Sequence, residues 1–210
     1  MQLRPSATKS LVMRNKLDKG LISVRPEAYI ILSVCALLLP LGWVFAWVTA
    51  AVIHELLHYI ALRLCDCEVN EIQIGANGAT MVTTPMSYGK EAVCAIAGPL
   101  AGFLLLFVGR WFPKIAICGF VQSTYNLFPI FPMDGGRVLR SLLRKRFDMV
   151  VGDKICRWIE NVFLILLSAG SLYLSFVISL GPIPIIWLIG LIFKNKIINS
   201  ACKDRLLRVQ

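Results

Sequence analysis

The chain has 210 residues, of which 57% are hydrophobic and 16% charged, and its mean hydropathy is +0.71. These values lie outside the range of soluble globular proteins, so the composition excludes a soluble enzyme or binding domain. The net charge of +10 does not indicate a nucleic-acid-binding protein, because the basic residues flank apolar runs and form no basic face of their own. We therefore expect a membrane protein with basic connecting segments.

The N-terminal segment is basic and lacks the pattern of a secretion signal. Its first 27 residues hold six Lys and Arg side chains, but no apolar core followed by a small-residue cleavage site. We therefore expect no removable signal peptide. We interpret 1–27 as a cytoplasmic N-terminal segment, 28–198 as one membrane domain, and 199–210 as a cytoplasmic C-terminal tail.

Four long apolar runs, bounded by basic or turn-forming residues, predict the membrane spans. The first run is too long for one span and breaks at Pro40–Gly42, and the last breaks at Gly181–Pro184. The predicted fold is therefore an all-α polytopic membrane protein with about six transmembrane helices. The first and last are short against the roughly 20 residues that a span needs. The runs cover 28–62, 92–109, 115–133 and 161–193.

The distribution of basic residues predicts the orientation. With six spans, both termini and the segments 63–91 and 137–157 lie on one side of the membrane. That side holds every Lys and Arg except Arg110 and Lys114, as expected for the cytoplasm. A five-span arrangement, with 161–193 as one helix, would place the basic C-terminal residues outside and is disfavoured by the same rule. We expect both termini to be cytoplasmic.

A metal-binding pattern lies in the second predicted helix, where residues 53–59 read Ile-His-Glu-Leu-Leu-His-Tyr. The spacing puts His54 and His58 on one helix face, where both can hold one ion. A divalent ion such as zinc lowers the pKa of a bound water to about 7, and the neighbouring Glu55 can take its proton. A chance cluster is disfavoured, because each ionisable group at membrane depth costs about 2.5–3.5 kcal/mol. The pattern indicates peptide hydrolysis.

A third ligand must be a carboxylate or a thiolate, because His54 and His58 are the only histidines in the chain. Asp134 closes an apolar run that Pro129 and Pro132 must break. Broken backbone at membrane depth is tolerated where it lines a buried or hydrated cavity, which a metal site supplies. The alternative for Asp134 is a cap or turn residue at the cytoplasmic edge. We expect His54 and Asp134 to meet toward the cytoplasmic side.

The paired motifs resemble those of the site-2 protease family of intramembrane zinc metalloproteases, whose pattern is HExxH followed by NxxPxxxxDG. Both patterns match position for position, at 54–58 and at 126–135. The resemblance covers most of 28–145 and includes 98–102, which is similar to the small-residue segment in the family's third core helix. It implies one Zn²⁺ per chain, with His54, His58 and Asp134 as ligands, Glu55 as general base and then acid, and Asn126 positioning the substrate or its oxyanion.

This chain departs from the family at Leu57, where glycine is common, and we expect altered helix packing without loss of metal binding. We expect neither the long periplasmic PDZ insertion of some members nor, after 193, the cytoplasmic regulatory domain that others carry. In layout it is most similar to the compact bacterial branch that includes the sporulation protease acting on a membrane-associated sigma-factor precursor. The resemblance implies a bacterial cell membrane, a membrane-tethered regulatory protein as substrate, and room for a regulatory membrane partner.

The segment 69–84 predicts a short β-hairpin between the second and third helices. It consists of two β-prone runs around Asn77-Gly78, a strong turn signal. A sheet edge beside the metal could hold the substrate as an extended strand, in the way the family is thought to work. The alternative is a connecting hairpin that does not touch substrate.

Other polar and small residues have simpler interpretations. Gly98, Ala101 and Gly102 most simply allow close helix packing and are not expected to be catalytic. Cys65 and Cys67 form the only close pair of the seven cysteines, and a metal or redox site there lacks partner ligands. A basic loop is expected to anchor the fourth helix to anionic headgroups, at about 1 kcal/mol per residue. It contains Arg137, Arg140, Arg144, Lys145 and Arg146.

Two other functions remain open from the residues alone. A membrane metal transporter or sensor could also place histidines and an aspartate within spans, but it would not need Glu55 next to the first histidine and would line several helices with polar residues. A catalytically inactive relative that binds membrane proteins would keep the same fold. Only an activity measurement distinguishes that second alternative.

Overall fold

The computed structural model describes residues 22–75, 78–179, 181–182, 184–186 and 188–192. This part of the chain is mainly helical and carries one small sheet; residues 184–186 and 188–192 are also helical. A 3₁₀ turn at Leu106–Val108 extends the third helix. In chain order the main elements are β1 (Ile22–Val24), α1 (Pro26–Leu38), α2 (Leu41–Leu64), β2 (Val69–Gly75), β3 (Gly78–Thr83), α3 (Tyr88–Leu105), α4 (Pro113–Asn126), α5 (Asp134–Arg146) and α6 (Met149–Phe176).

Helix α3 is the centre of the bundle and contacts α2, α4 and α5. Small residues allow this close packing: a Cβ atom at Gly102 would overlap the Gly119 carbonyl and the Ser123 hydroxyl of α4. The packing role predicted for Gly102 is therefore confirmed. Helix α6 packs against α5, outside the group formed by α2, α3 and α4.

Three helices of the described chain are long and apolar enough to cross a membrane: α2, α3 with its 3₁₀ extension, and α6. Helix α1 is apolar but has 13 residues, and α4 has 14. The chain is thus a membrane protein in character, and the six-span arrangement stays a prediction. The predicted sixth span and the tail 199–210 lie partly or wholly outside the described residues.

The prediction of a basic loop at 137–157 is wrong, because α5 and the start of α6 occupy this segment. The basic residues of α5 recur every three or four positions, which is the period of an amphipathic helix. The predicted fourth span also ends earlier, at Asn126 instead of 134. After it, Pro129 and Pro132 exclude a continuous helix, and the chain is irregular until α5 begins.

The hairpin predicted at 69–84 is present as β2 and β3, which pair antiparallel from Val69↔Thr83 to Gly75↔Gly78. Asn77 of the predicted turn lies outside the described residues. The sheet has a third strand that the sequence did not predict: β1 pairs parallel with β2, in the register Ile22↔Ile72. The strand order is β1-β2-β3, so β2 is central and β3 has one outer edge.

Candidate metal centre

The two histidines lie one turn apart in the middle of α2, on its buried face. Their exposed fractions are 5% for His54 and 8% for His58. The two Nε2 atoms are 3.2 Å apart, so both imidazoles turn the same nitrogen to one point. The helical repeat alone accounts for this convergence, because residues i and i+4 share a face.

Asp134 is the first residue of α5 and brings a carboxylate to the same point. Its Oδ2 lies 3.1 Å from His54 Nε2 and 3.2 Å from His58 Nε2, and the residue is 8% exposed. The other oxygen, Oδ1, lies 3.7 Å from Arg137 Nη1, one turn along α5. This leaves Oδ2 as the oxygen directed at the histidines.

The spacing and chemistry of these three residues fit a zinc ion. Their donor atoms all lie within 4.8 Å of one another, and no second group of this kind occurs in the part of the chain described. Ligand atoms about 2.0 Å from a tetrahedral zinc lie about 3.3 Å from each other, close to the separations above. Two imidazoles and one carboxylate leave a fourth position for water or substrate, as in catalytic zinc sites.

His58 is held by a hydrogen bond that the sequence did not predict. Its Nδ1–H donates to the backbone carbonyl of Cys94 in α3, at 2.7 Å. This bond fixes the tautomer and leaves the lone pair on Nε2, the atom directed at the centre. His54 Nδ1 is buried and has no partner among the described residues, so the two ligands are oriented unequally.

Gly98 of α3 lies directly against both imidazoles. A Cβ atom at this position would overlap Nε2 and Cε1 of His58 and would also crowd Nε2 of His54. The residue therefore does more than allow close helix packing, because any side chain would fill the space where the donor atoms meet. The sequence marked Gly98 as small but gave no sign of this contact.

Glu55 stands beside the centre without being one of its three donor residues. Its Oε1 lies 3.9 Å from the position that a Cβ on Gly78 would occupy, and the backbone of Ala79 is close enough to interact with its carboxylate. Strand β3 therefore begins next to Glu55, the candidate general base. Gly78 has φ +95°, a conformation that side chains rarely adopt, so glycine suits this approach.

Asn126, the last residue of α4, is also at the centre. Its Nδ2 lies 3.4 Å from His54 Nε2. An amide this close to the donor atoms can donate a hydrogen bond to a group placed at the fourth position. The structure thus brings together all five residues that the sequence singled out.

The irregular segment 127–133 is packed tightly against the start of α5. Its turns are closed by bonds such as Ile130 N–H to the Phe128 carbonyl at 2.7 Å and Met133 N–H to the Ile130 carbonyl at 2.9 Å. A Cβ on Gly135 would overlap the Leu127 carbonyl, and one on Gly136 would crowd Ile130. The two glycines after Asp134 therefore let the helix begin directly on the preceding turn.

Comparisons with known proteins agree with this geometry. No protein-family model matches the chain. A zinc metalloprotease of Methanocaldococcus jannaschii is 28% identical over 146 residues, which are 62% of this chain and 43% of that protein. This chain thus spans less than half the length of that curated relative.

A solved structure, a site-2 protease from Methanocaldococcus jannaschii, matches with a TM-score of 0.58 and 22% identity. The match covers 83% of this chain and 88% of that one, and it shows a shared fold. The three converging donor residues agree with the name of the sequence relative, a zinc metalloprotease, and with the shared fold.

Proposed function

We propose that this chain is an intramembrane zinc metalloprotease, which hydrolyses a peptide bond in or near a transmembrane segment of a membrane-tethered regulatory protein. The observation that carries the proposal is the buried convergence of His54, His58 and Asp134, with Glu55 beside them. The names of the sequence relative and of the structural relative support the same chemistry.

The proposed mechanism assigns each polar group a task. When bound, zinc would lower the pKa of a water molecule to about 7 and polarise the substrate carbonyl. Glu55 accepts the proton of that water and returns it to the leaving amine. Asn126 donates through Nδ2 to the substrate carbonyl oxygen as negative charge develops there.

The sheet supplies a place for the substrate backbone. Within the described residues, β2 is paired on both sides, whereas β1 and β3 each have one outer edge; the edge of β3 is the one that begins beside Glu55. A peptide added there would run past Glu55, because β3 begins beside that carboxylate. Pairing as a strand would expose a peptide bond that a helical substrate conceals.

The proposed topology has six spans within 28–198 and places both termini in the cytoplasm of a bacterial cell membrane. Three candidate spanning helices and the apolar character of α1 support it. The distribution of Lys and Arg supports the orientation. A regulatory membrane partner is compatible with this arrangement, and the basic face of α5 would lie near anionic headgroups.

The rival function is membrane transport or sensing of metal. Glu55 argues against it, because a transport site does not need a carboxylate that stays off the metal and contacts a strand. Asn126 also supports hydrolysis, because its Nδ2 lies 3.4 Å from His54 Nε2 and an amide there would donate to a substrate carbonyl.

The test compares wild-type protein with Glu55→Gln after purification in detergent. We expect one zinc per chain in both, cleavage of single-span test substrates by wild type alone, and a loss of at least about a hundredfold in Glu55→Gln, typical of removing a general base. Glu27→Gln, an exposed carboxylate at the start of α1, is the matched control and should cleave normally. Zinc in both proteins without any cleavage would favour an inactive relative, and wild type without stoichiometric metal would contradict the proposal.

A further inference from the structure

Helix α6 carries one deeply buried carboxylate that the proposed mechanism does not use. Glu160 is 2% exposed and lies where the apolar, candidate membrane-spanning part of α6 begins. An ionisable side chain in such a helix costs a few kcal/mol, so it is expected to have a specific partner and a function. Its side chain is directed into the protein, toward segment 127–133, which precedes Asp134.

The partner of Glu160 is a backbone group of that segment. Glu160 Oε1 accepts the N–H of Phe131 at 3.1 Å, across 29 positions of sequence. Phe131 lies between Pro129 and Pro132, which have no N–H of their own, so few donors remain to tie this segment to its surroundings. Without Glu160, the Phe131 N–H would lose its only hydrogen bond recorded in the described part of the chain.

Phe131 also contacts α5. The guanidinium of Arg140 lies over the Phe131 ring, 4.1 Å from its centroid. Arg140 also interacts electrostatically with Glu160, so the two side chains and residue 131 form one cluster. Asp134 begins α5 three residues after Phe131 and six before Arg140, so the cluster has a member on either side of Asp134 along the chain.

A second contact between α5 and α6 shows that Glu160 is not needed merely to join the helices. Arg144 and Asp153 form a bidentate ion pair, with N···O distances of 2.8 and 2.9 Å. This pair lies near the far end of α5 and has no recorded contact with segment 127–133. The feature that distinguishes Glu160 is its bond to the backbone of that segment.

We propose that Glu160 is a positioning residue for the metal centre, which fixes segment 127–133 through the Phe131 N–H and so holds the Asp134 carboxylate toward His54 and His58. The inference rests on the proposed function, since it assigns Asp134 to the metal. It adds a residue outside both motifs, on a helix that contributes no ligand. Residues that orient a metal ligand typically change metal affinity by about 10–100-fold when removed.

The experiment compares Glu160→Ala, Glu160→Gln and Asp153→Ala in the full chain, in detergent. Zinc affinity is measured by competition with a chromophoric chelator, and the ligand geometry by the visible spectrum of the Co²⁺-substituted protein. We expect Glu160→Ala to bind zinc about 10–100-fold more weakly, with an altered cobalt spectrum. Glu160→Gln keeps an oxygen acceptor and should stay within about threefold of wild type. Asp153→Ala breaks the ion pair between α5 and α6 and should retain wild-type affinity.

A metal-free measurement separates this inference from the proposed function. In protein stripped of metal, amide hydrogen exchange of peptides covering 127–134 should be at least tenfold faster in Glu160→Ala than in wild type, with α2 unchanged. Unchanged exchange, unchanged zinc affinity in Glu160→Ala, or an equal loss in Asp153→Ala would overturn the positioning role. A Glu160→Gln variant as weak as Glu160→Ala would overturn the hydrogen-bond mechanism. Wild type that binds no zinc would instead overturn the proposed function.

Discussion

The two halves of the metal centre are built in different ways. The helix half consists of His54 and His58, which one uninterrupted helix places on the same face. The loop half consists of segment 127–133 and Asp134, where the chain must break, turn and start a new helix. The helix half follows from the helical repeat, whereas the loop half depends on contacts with distant residues such as Glu160. The two halves should therefore differ in how they respond to mutation.

The largest effect should come from the helix half itself. His58→Ala removes one of two imidazole donors and leaves Asp134 and His54 without a complete ligand set. We expect loss of stoichiometric zinc, beyond the about 10–100-fold typical of losing a residue that only orients a ligand, and no detectable cleavage. Zinc per chain is measured by atomic emission. Tyr59→Phe, on the same helix, should keep its zinc; retention of a full equivalent by His58→Ala would contradict the assigned ligand set.

Gly98→Ala tests whether the helix half tolerates any change in its surroundings. The added methyl would overlap both imidazoles, and α2 and α3 are packed too closely to move apart freely. We expect zinc affinity to fall tenfold or more, with about 1–3 kcal/mol of overpacking strain. Gly170→Ala is the control, since no atom of the described residues lies within 4 Å of its Cβ position. Equal zinc affinity in the two variants would contradict the close contact between Gly98 and the two imidazoles.

Gly135→Ala applies the same test to the loop half. Its methyl would overlap the Leu127 carbonyl, so segment 127–133 must shift relative to α5. Because an irregular segment can adjust more than two packed helices, we expect a severalfold loss of zinc affinity, smaller than for Gly98→Ala. Gly89→Ala meets only the end of the flexible Lys145 side chain, at 3.6 Å, and is the control. A larger loss for Gly135→Ala than for Gly98→Ala would reverse the comparison.

The smallest effect should come from the ion pair that joins α5 to α6 away from the centre. Arg144 and Asp153 are partly exposed, with side-chain fractions of 21% and 23%. Asp153→Ala should lower stability by about 1 kcal/mol or less, because partly solvated ion pairs contribute little. Thermal unfolding in detergent measures this change, and cleavage should stay normal. Lost cleavage would mean that α6 acts on the centre through more than Glu160.

The sequence predicted the helix half fully, because the spacing of His54 and His58 needs no information beyond the helical period. From the apolar run broken by prolines, it also predicted that Asp134 lies close to the histidines. From the turn signal, it predicted the β2–β3 hairpin. It did not predict α5 as a helix, although the basic residues of this segment recur with the period of a helix. Strand β1 has three residues, and its pairing with β2 joins positions about 50 apart, so no local pattern could reveal it.

The contacts that support the centre were the least predictable. Gly98 was recognised as small, but only the fold places it against the imidazoles. The Cys94 carbonyl that orients His58 is a backbone group, which no residue type encodes. Glu160 directly precedes the apolar run 161–193 and follows other charged residues, so its sequence position gives no sign that it is buried.

The outer edge of β3 has a consequence for hydration. Backbone N–H and C=O groups without partners cost several kcal/mol each in a dry membrane interior, and this edge has no neighbouring strand in the described chain. On the proposed function, water would satisfy this edge until a peptide pairs with it, and Glu55 lies beside that edge. A peptide that pairs with β3 displaces part of this solvent. Efficient substrates would then be those that dock while leaving one water beside the carboxylate, so tighter pairing need not mean faster cleavage.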